Sequence, residues 1–231
     1  MKRLSAIALL LLLATAAEAQ TFFGGRYSNY NSEVTVAGFP IETGRQSSLG
    51  LVLDLRSGRF VLRGQLDHDF EEGISPIDFL PIDFAEYSRD RIEIVAGYAP
   101  AEMFDLEAGF RLDSFELNGL DFFGTELFGS VGVDYQAIVF GAHFHAPPDA
   151  DFQWYVSGRG YIGSFDTDDL GFSASQDATG WKAEAGVPIR VGDSRWRITP
   201  GFELEAINAE NNLLEISSNR LFLNFAYEFG R

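Results

Sequence analysis

Any imidazole chemistry in this 231-residue chain must be built from three histidines, His68, His143 and His145. His143 and His145, in the stretch AHFHAPP, are two residues apart and share one face of a strand, so they could hold a metal together. Two ligands do not make a site, because metal centres take three or four protein donors. The chain has no cysteine and no carboxylate completes the set by spacing, so neither a metal nor a cofactor is assigned. Asp67-His68-Asp69 sets two carboxylates on one face of a strand and an imidazole on the other. General acid–base work would require a second group within hydrogen-bond reach of it. Asp166, Asp168 and Asp169 could offer oxygen ligands to Ca²⁺, but the ligand pattern of a dedicated loop is missing, and the group reads as a solvated acidic tip. The serines in Ile216 to Asn219 lack a neighbouring histidine to act as base.

A larger set of residues carries charge at strand spacing. Arg59, Arg63 and Asp67 fall on one phase of residues 59–69, Arg91 and Glu93 on one phase of 90–98, and Asp105, Glu107 and Arg111 on one phase of 104–116. Arg159 lies in 152–164, Glu184 and Arg190 in 180–190, and Arg195, Arg197, Glu203 and Glu205 in 195–207. Apolar residues occupy the other phase: Phe60, Leu62 and Leu66; Ile92, Ile94 and Tyr98; Leu106, Phe110 and Leu112; Trp196, Ile198, Phe202 and Leu204. Alternation with period two marks strands that separate two unlike environments. If the charged faces are enclosed, the residues form a ladder of both signs that must pair, since a lone buried ion costs several kcal/mol. Such a ladder can be a structural plug, or it can line a narrow pore and set its selectivity.

The elements that would position these charges are short, even and numerous. Ten strands are expected, over roughly 21–30, 47–56, 59–69, 90–98, 104–116, 123–145, 152–164, 180–190, 195–207 and 220–229. A run of about ten residues at about 3.3 Å each, tilted by about 40°, rises about 25 Å. The sixth run is long, and its apolar phase changes between Val133-Tyr135 and Ile138-Phe140. A β-bulge near Gln136 would absorb the change, whereas a turn there would move the count to eight or twelve. Short turns at Ser57-Gly58, Pro100 to Glu102, Pro147 to Asp151 and Gly192-Asp193 alternate with longer polar segments at 31–46, 71–88, 166–178 and 208–218. PIDF occurs twice in the second of these, at Pro76 to Phe79 and Pro81 to Phe84; proline cannot donate to a ladder, so a loop is expected.

Composition narrows the setting. Lys2 and Arg3, the apolar run Ile7 to Leu13 and the small-x-small Ala17-Glu18-Ala19 have the form of a secretory signal, so residues 1–19 are expected to be removed and 20–231 to form one domain. Without them, 15 basic residues face 33 acidic ones, a net charge of −18, which argues against a nucleic-acid partner. Fourteen of those 15 bases are arginine, Lys182 being the exception, and arginine's planar fork suits fixed carboxylate networks.

The signal, the up-and-down alternation and a last strand that closes on Tyr227 and Phe229 resemble the small outer-membrane β-barrels of Gram-negative bacteria. The resemblance covers the whole mature chain. It implies an antiparallel transmembrane barrel with an even strand number, both termini on the periplasmic side, short periplasmic turns and long outer loops. It also implies insertion into outer-membrane lipid, with Tyr227 and Phe229 read as an assembly signal by the barrel-assembly machinery; Gly230 and Arg231 depart from the family's usual aromatic ending. A secreted β-sandwich would alternate too. Aromatic residues near strand ends, such as Tyr27, Tyr98, Trp154, Trp181, Trp196 and Phe229, favour the barrel, because they suit an interfacial girdle. The omptin proteases of the same membrane share acidic pairs near the outer rim, but they need an Asp-x-His pair across the mouth, and His143 and His145 are expected at the opposite rim. The lipid A deacylases need a His-x-Ser arrangement that is absent at Ile216 to Asn219. A non-enzymatic structural or surface-interaction barrel, acting as a monomer, is therefore expected; a narrow porin-like channel is the alternative and an outer-membrane hydrolase the remote third.

Overall fold

Period-two alternation becomes strand nearly everywhere in the computed structural model, which describes residues 20–36, 39–70, 82–122, 125–147, 150–167, 174–210 and 214–229. The strands are β1 (Gln20–Val36), β2 (Phe39–Ser57), β3 (Phe60–Asp69), β4 (Ile82–Ala101), β5 (Phe104–Phe122), β6 (Thr125–His145), β7 (Tyr155–Thr167), β8 (Ala174–Gly186), β9 (Ile189–Arg190), β10 (Trp196–Ala209) and β11 (Leu214–Phe229). Each pairs antiparallel with its neighbours, and β11 returns to β1 from Thr21↔Phe229 to Val36↔Leu214, which closes the sheet.

The closed sheet has ten walls, because β8 and β9 are one strand interrupted. Gly201↔Gly186 and Ile198↔Ile189 share one register on β10. Pro188 falls in the gap and Pro200 of β10 lies opposite it, where a missing N–H cannot complete the ladder; Val187 N–H still donates to Pro200 O at 3.0 Å. Short turns join β2 to β3 and β9 to β10, with Gly58 at φ 59° and Gly192 at φ 57°, a region that glycine enters without a Cβ penalty. Both chain ends of the barrel lie at this short-turn rim, where Gln20 faces Arg56 and Thr21 faces Phe229.

The strands are longer than expected toward the other rim. β1 and β2 stay paired as far as Val36↔Phe39, through a register shift between Asn31 and Glu33, so much of the segment expected as a loop at 31–46 is hairpin. Residues 71–81, with the first PIDF, lie outside the described residues, as do the 1–19 signal and Asp168 and Asp169. The bulge expected near Gln136 does not occur. β6 keeps register with β5 from Phe104↔Phe144 to Asn118↔Ser130, and with β7 from Asp134↔Asp166 to His145↔Tyr155.

What changes along β6 is the surroundings. Near the short-turn rim, Ile138, Phe140 and Phe144 point outward and are exposed while His143 is buried inside. Farther up, outward Asp134 and Gln136 are exposed, while inward Tyr135, Ala137 and Val139 are buried. β1 repeats the inversion, with outward Phe23 and Tyr27 giving way to Asn29, Asn31 and Glu33, and buried Arg26 giving way to Tyr30 and Val34. On β5, outward Leu106, Phe110 and Leu112 are followed by Ser114 and Glu116, and inward Arg111 and Asp113 by Phe115. The barrel thus has a lower zone, apolar outside and ionic inside, and an upper zone, polar outside and apolar inside. Buried Val34, Phe115, Tyr135, Val139, Phe165, Ile207 and Ile216 belong to one cluster that forms the upper core.

Candidate functional site: the lumen ion network

Strand register decides which charges meet. Asp67 on β3 is directly opposite Arg91 on β4, which is opposite Asp113 on β5. One step lower, Glu93 is opposite Arg111; across the barrel Lys182 is opposite Glu205, and Glu203 opposite Arg220. Cross-strand pairs of opposite charge are favourable and like pairs unfavourable. Within the network two like pairs nevertheless occur, Arg159↔Lys182 and Glu184↔Glu203. Each is resolved across the lumen. Glu93 accepts from Arg159 Nη1 and from Lys182 Nζ, the latter at 2.6 Å, and Arg26 donates to Glu203 at 2.8 Å and Glu184 at 3.4 Å.

The network is continuous. Arg91 reaches Asp67, Glu203 (2.9 Å) and Glu205 (3.3 Å). Arg89 bridges Asp113 at 2.7 Å and Glu205 at 2.8 Å, and Arg111 joins Asp113 and Glu205. Arg220 lies 3.6 Å from both Asp67 and Glu203 and donates to Ser48 Oγ at 3.0 Å. Toward the short-turn rim, Arg63 holds Glu107 and, at 2.7 Å, Asp105; Arg159 Nε donates to Glu107 at 2.9 Å. Arg56 completes the row, donating to Asp105 at 2.7 Å. Aromatic rings pack on the cations: Arg26 over Phe222 at 3.9 Å, Arg220 over Tyr30 at 4.1 Å, Arg111 over Tyr161 at 4.6 Å and Arg89 over Phe115 at 4.8 Å. Guanidinium over an aromatic face is attractive, and more so where water is excluded.

Of the residues expected in the lumen, Arg63, Asp67, Arg91, Glu93, Asp105, Glu107, Arg111, Arg159, Glu184, Glu203 and Glu205 join this network. Three do not, and one stands apart. Arg59 is exposed in the β2–β3 turn and donates to Tyr98 Oη on the outer face at 3.2 Å; Arg195 is exposed in the β9–β10 turn. Alternation stops where a strand does, so sequence phase misplaces both. Arg190 is half exposed at the rim, 3.5 Å from Glu228. Arg197 faces inward but stacks over Phe22 at 4.0 Å. Sequence reasoning missed Arg26, Arg56, Arg89, Asp113, Lys182 and Arg220. Asp113 and Lys182 were visible on charged phases, and counting back two residues from Arg91 would have found Arg89.

His68 points outward, its Nδ1 2.6 Å from Asp90 Oδ1, while flanking Asp67 and Asp69 are buried and bound to Arg91 and Tyr30. The triplet therefore presents no free acid–base set to the lumen. His143 and His145 do lie together inside, with ring centroids 5.7 Å apart. Nδ1 of His145 donates to the Ala146 carbonyl (2.9 Å) and Nε2 accepts from Arg56 (3.0 Å). No group of three or more metal-ligating side chains occurs among the described residues.

Outside, the lower zone carries a continuous apolar belt that includes Leu49, Leu51, Phe110, Leu112, Ile138, Phe140, Ile162, Leu221 and Leu223. The strands beneath it close into a ring through β10–β11 and β11–β1, and a closed barrel with an apolar belt is the one sheet architecture that satisfies its backbone in hydrocarbon. The chain is a closed antiparallel β-barrel of the membrane-spanning type. No protein-family model and no curated protein sequence matches it. Solved structures similar to it include the translocator domain of the autotransporter NalP from Neisseria meningitidis, at 11% identity and TM-score 0.47, covering 99% of this chain and 96% of that one. Neisserial surface protein A aligns at 14% identity and TM-score 0.41, covering 90% and 97%. The attachment invasion locus protein Ail of Yersinia pestis aligns at 12% identity and TM-score 0.40, covering 92% and 99%.

Proposed function

We propose that the protein is a closed, non-conducting outer-membrane barrel with a structural or surface-interaction role, in which the ion network is a plug rather than a filter. The observation that carries this reading is the stacking of two filled layers across the lumen. Arg89, Arg91, Arg111, Arg220, Glu93 and Lys182 in the ionic layer, and Tyr30, Tyr135 and Ile207 near or within the apolar layer above, are all almost fully buried. A conducting path must keep ion-sized, hydrated space along its length, and narrow barrels are readily filled by their own side chains. On this reading residues 1–19 direct export. Tyr227 and Phe229, in edge contact with ring centroids 4.8 Å apart on the outer face of β11, serve the assembly machinery, and the long hairpins carry the surface role. The test is reconstitution in a planar lipid bilayer. No steady single-channel steps are expected at physiological salt; stable, reproducible steps would support the porin-like alternative and reject the plug.

A further inference from the structure

Below the ionic layer the lumen is not filled. A cavity of about 740 Å³ opens there toward the short-turn rim, within the range of about 300–1,000 Å³ typical of small-molecule sites. Its walls are unlike. Phe22, Val52 and Ala226 give it an apolar patch from β1, β2 and β11, flanked by Arg26, Arg197 and Asn224, while Arg56, Arg159 and His143 line it from β2, β7 and β6.

The polar wall holds donors in excess of the carboxylates that face it. Arg56, Arg63, Arg159 and Lys182 are bound to three carboxylates, Asp105, Glu107 and Glu93. Three further acids line the cavity: Asp54, 43% exposed and 3.5 Å from Arg63 Nε, and Asp151, also exposed, leave their charge largely to solvent, while Glu184 is bound to Arg26 and Tyr155. All the hydrogen bonds of Arg56 run through Nη2, so Nε and Nη1 have no partner among the described residues. Arg159 likewise bonds through Nε and Nη1, which leaves Nη2. His143, 8% exposed, is stacked on Tyr155 with ring centroids 5.1 Å apart, and its Nδ1 is buried without a hydrogen-bond partner.

We infer that this cavity is a binding site, open to the periplasm, for a small amphipathic organic anion. Its carboxylate or phosphate is held by the free guanidinium edges of Arg56 and Arg159, and its apolar body lies against Phe22, Val52 and Ala226. Charge-assisted bonds from arginine to such groups are short and directional, and the apolar wall separates this ligand class from a bare inorganic ion. The site does not require conduction, so it stands whether the layer above is plug or filter.

The experiment is calorimetric titration of the detergent-solubilised barrel with phenyl phosphate, inorganic phosphate and benzyl alcohol. Phenyl phosphate is expected to bind saturably at one site, with the other two weaker by about tenfold or more, since each lacks one of the two contacts. Arg56→Gln is expected to weaken phenyl phosphate by about tenfold, as loss of one charge-assisted contact predicts. Val52→Trp, which fills the apolar side, is expected to abolish binding. Heat-dependent gel migration reports that each variant is folded, and the three-ligand comparison on the unmodified protein stands if a variant is not. Absence of saturable phenyl phosphate binding, equal binding of inorganic phosphate, or unchanged affinity in folded Arg56→Gln overturns the proposal.

Discussion

Glu93→Gln isolates the energetic core of the network. Among the described residues the Lys182 ammonium has one partner, Glu93, at 2.6 Å, and both side chains are buried. Glu93 also accepts from Arg159 and from Tyr161 Oη, the latter at 2.9 Å. Glutamine keeps the shape and one acceptor oxygen but leaves two desolvated cations facing a neutral amide. Breaking a buried ion pair from one side costs about 3–5 kcal/mol. Lys182→Met removes the dependent cation and leaves Glu93 bound to Arg159 and Tyr161, so its cost should be about 1–2 kcal/mol. In the double variant no ammonium is stranded, and the combined loss should fall short of the sum by about 2 kcal/mol, the size expected of residues in direct contact. Urea unfolding of the barrel in lipid vesicles, read as the fraction that keeps the unheated gel mobility, measures all three. Wild-type stability in Glu93→Gln, or strict additivity in the double variant, would refute the claim that pairing across the lumen relieves the Arg159–Lys182 repulsion.

Other expectations follow from the two-zone wall. Ile138→Arg, on the apolar belt, should cost about 2–4 kcal/mol of folding stability in lipid, whereas Asp134→Arg, four residues up the same face, should cost under about 1 kcal/mol; equal losses by the same urea assay would deny that the membrane boundary lies between them. Arg59→Ala and Arg195→Ala, in exposed turns, should change stability by no more than about 0.5 kcal/mol, while Arg111→Ala, which takes a buried cation from Asp113 and Glu205 and leaves them to Arg89 and Arg91, should lose about 3 kcal/mol. The intact barrel should migrate differently on a detergent gel before and after boiling, because a closed ladder offers no free edge from which to unzip; identical mobility would contradict closure.

Much of this architecture was legible in the amino-acid order. Period-two alternation, as in Phe104 to Asp113, follows from the pleat alone, so strand identity, strand number and the apolar outer face could be read without tertiary information. The same local rule assigned Arg63, Arg91, Glu93, Arg111, Glu203 and Glu205 to the inner face. It failed where its premise lapsed: Arg59 and Arg195 sit in turns, where side chains no longer alternate between two faces.

The tertiary structure decided what depends on register, closure and height above the membrane. Leu, Ile and Phe on a strand state only that one side is apolar. In β6 they switch phase because the apolar medium moves from lipid outside to packed core inside, so a pattern that resembled a bulge was a regular strand crossing a boundary. Pairing of Lys182 with Glu93 joins residues on β8 and β4 that are 89 apart in sequence, and no local periodicity carries that information. The cavity, likewise, exists only because β1, β2 and β11 bring small and apolar side chains together with the arginines once the sheet closes. Sequence therefore set each strand's two faces through backbone geometry, and closure alone set which charges neutralise one another, because Coulombic pairing depends on distance through space rather than along the chain.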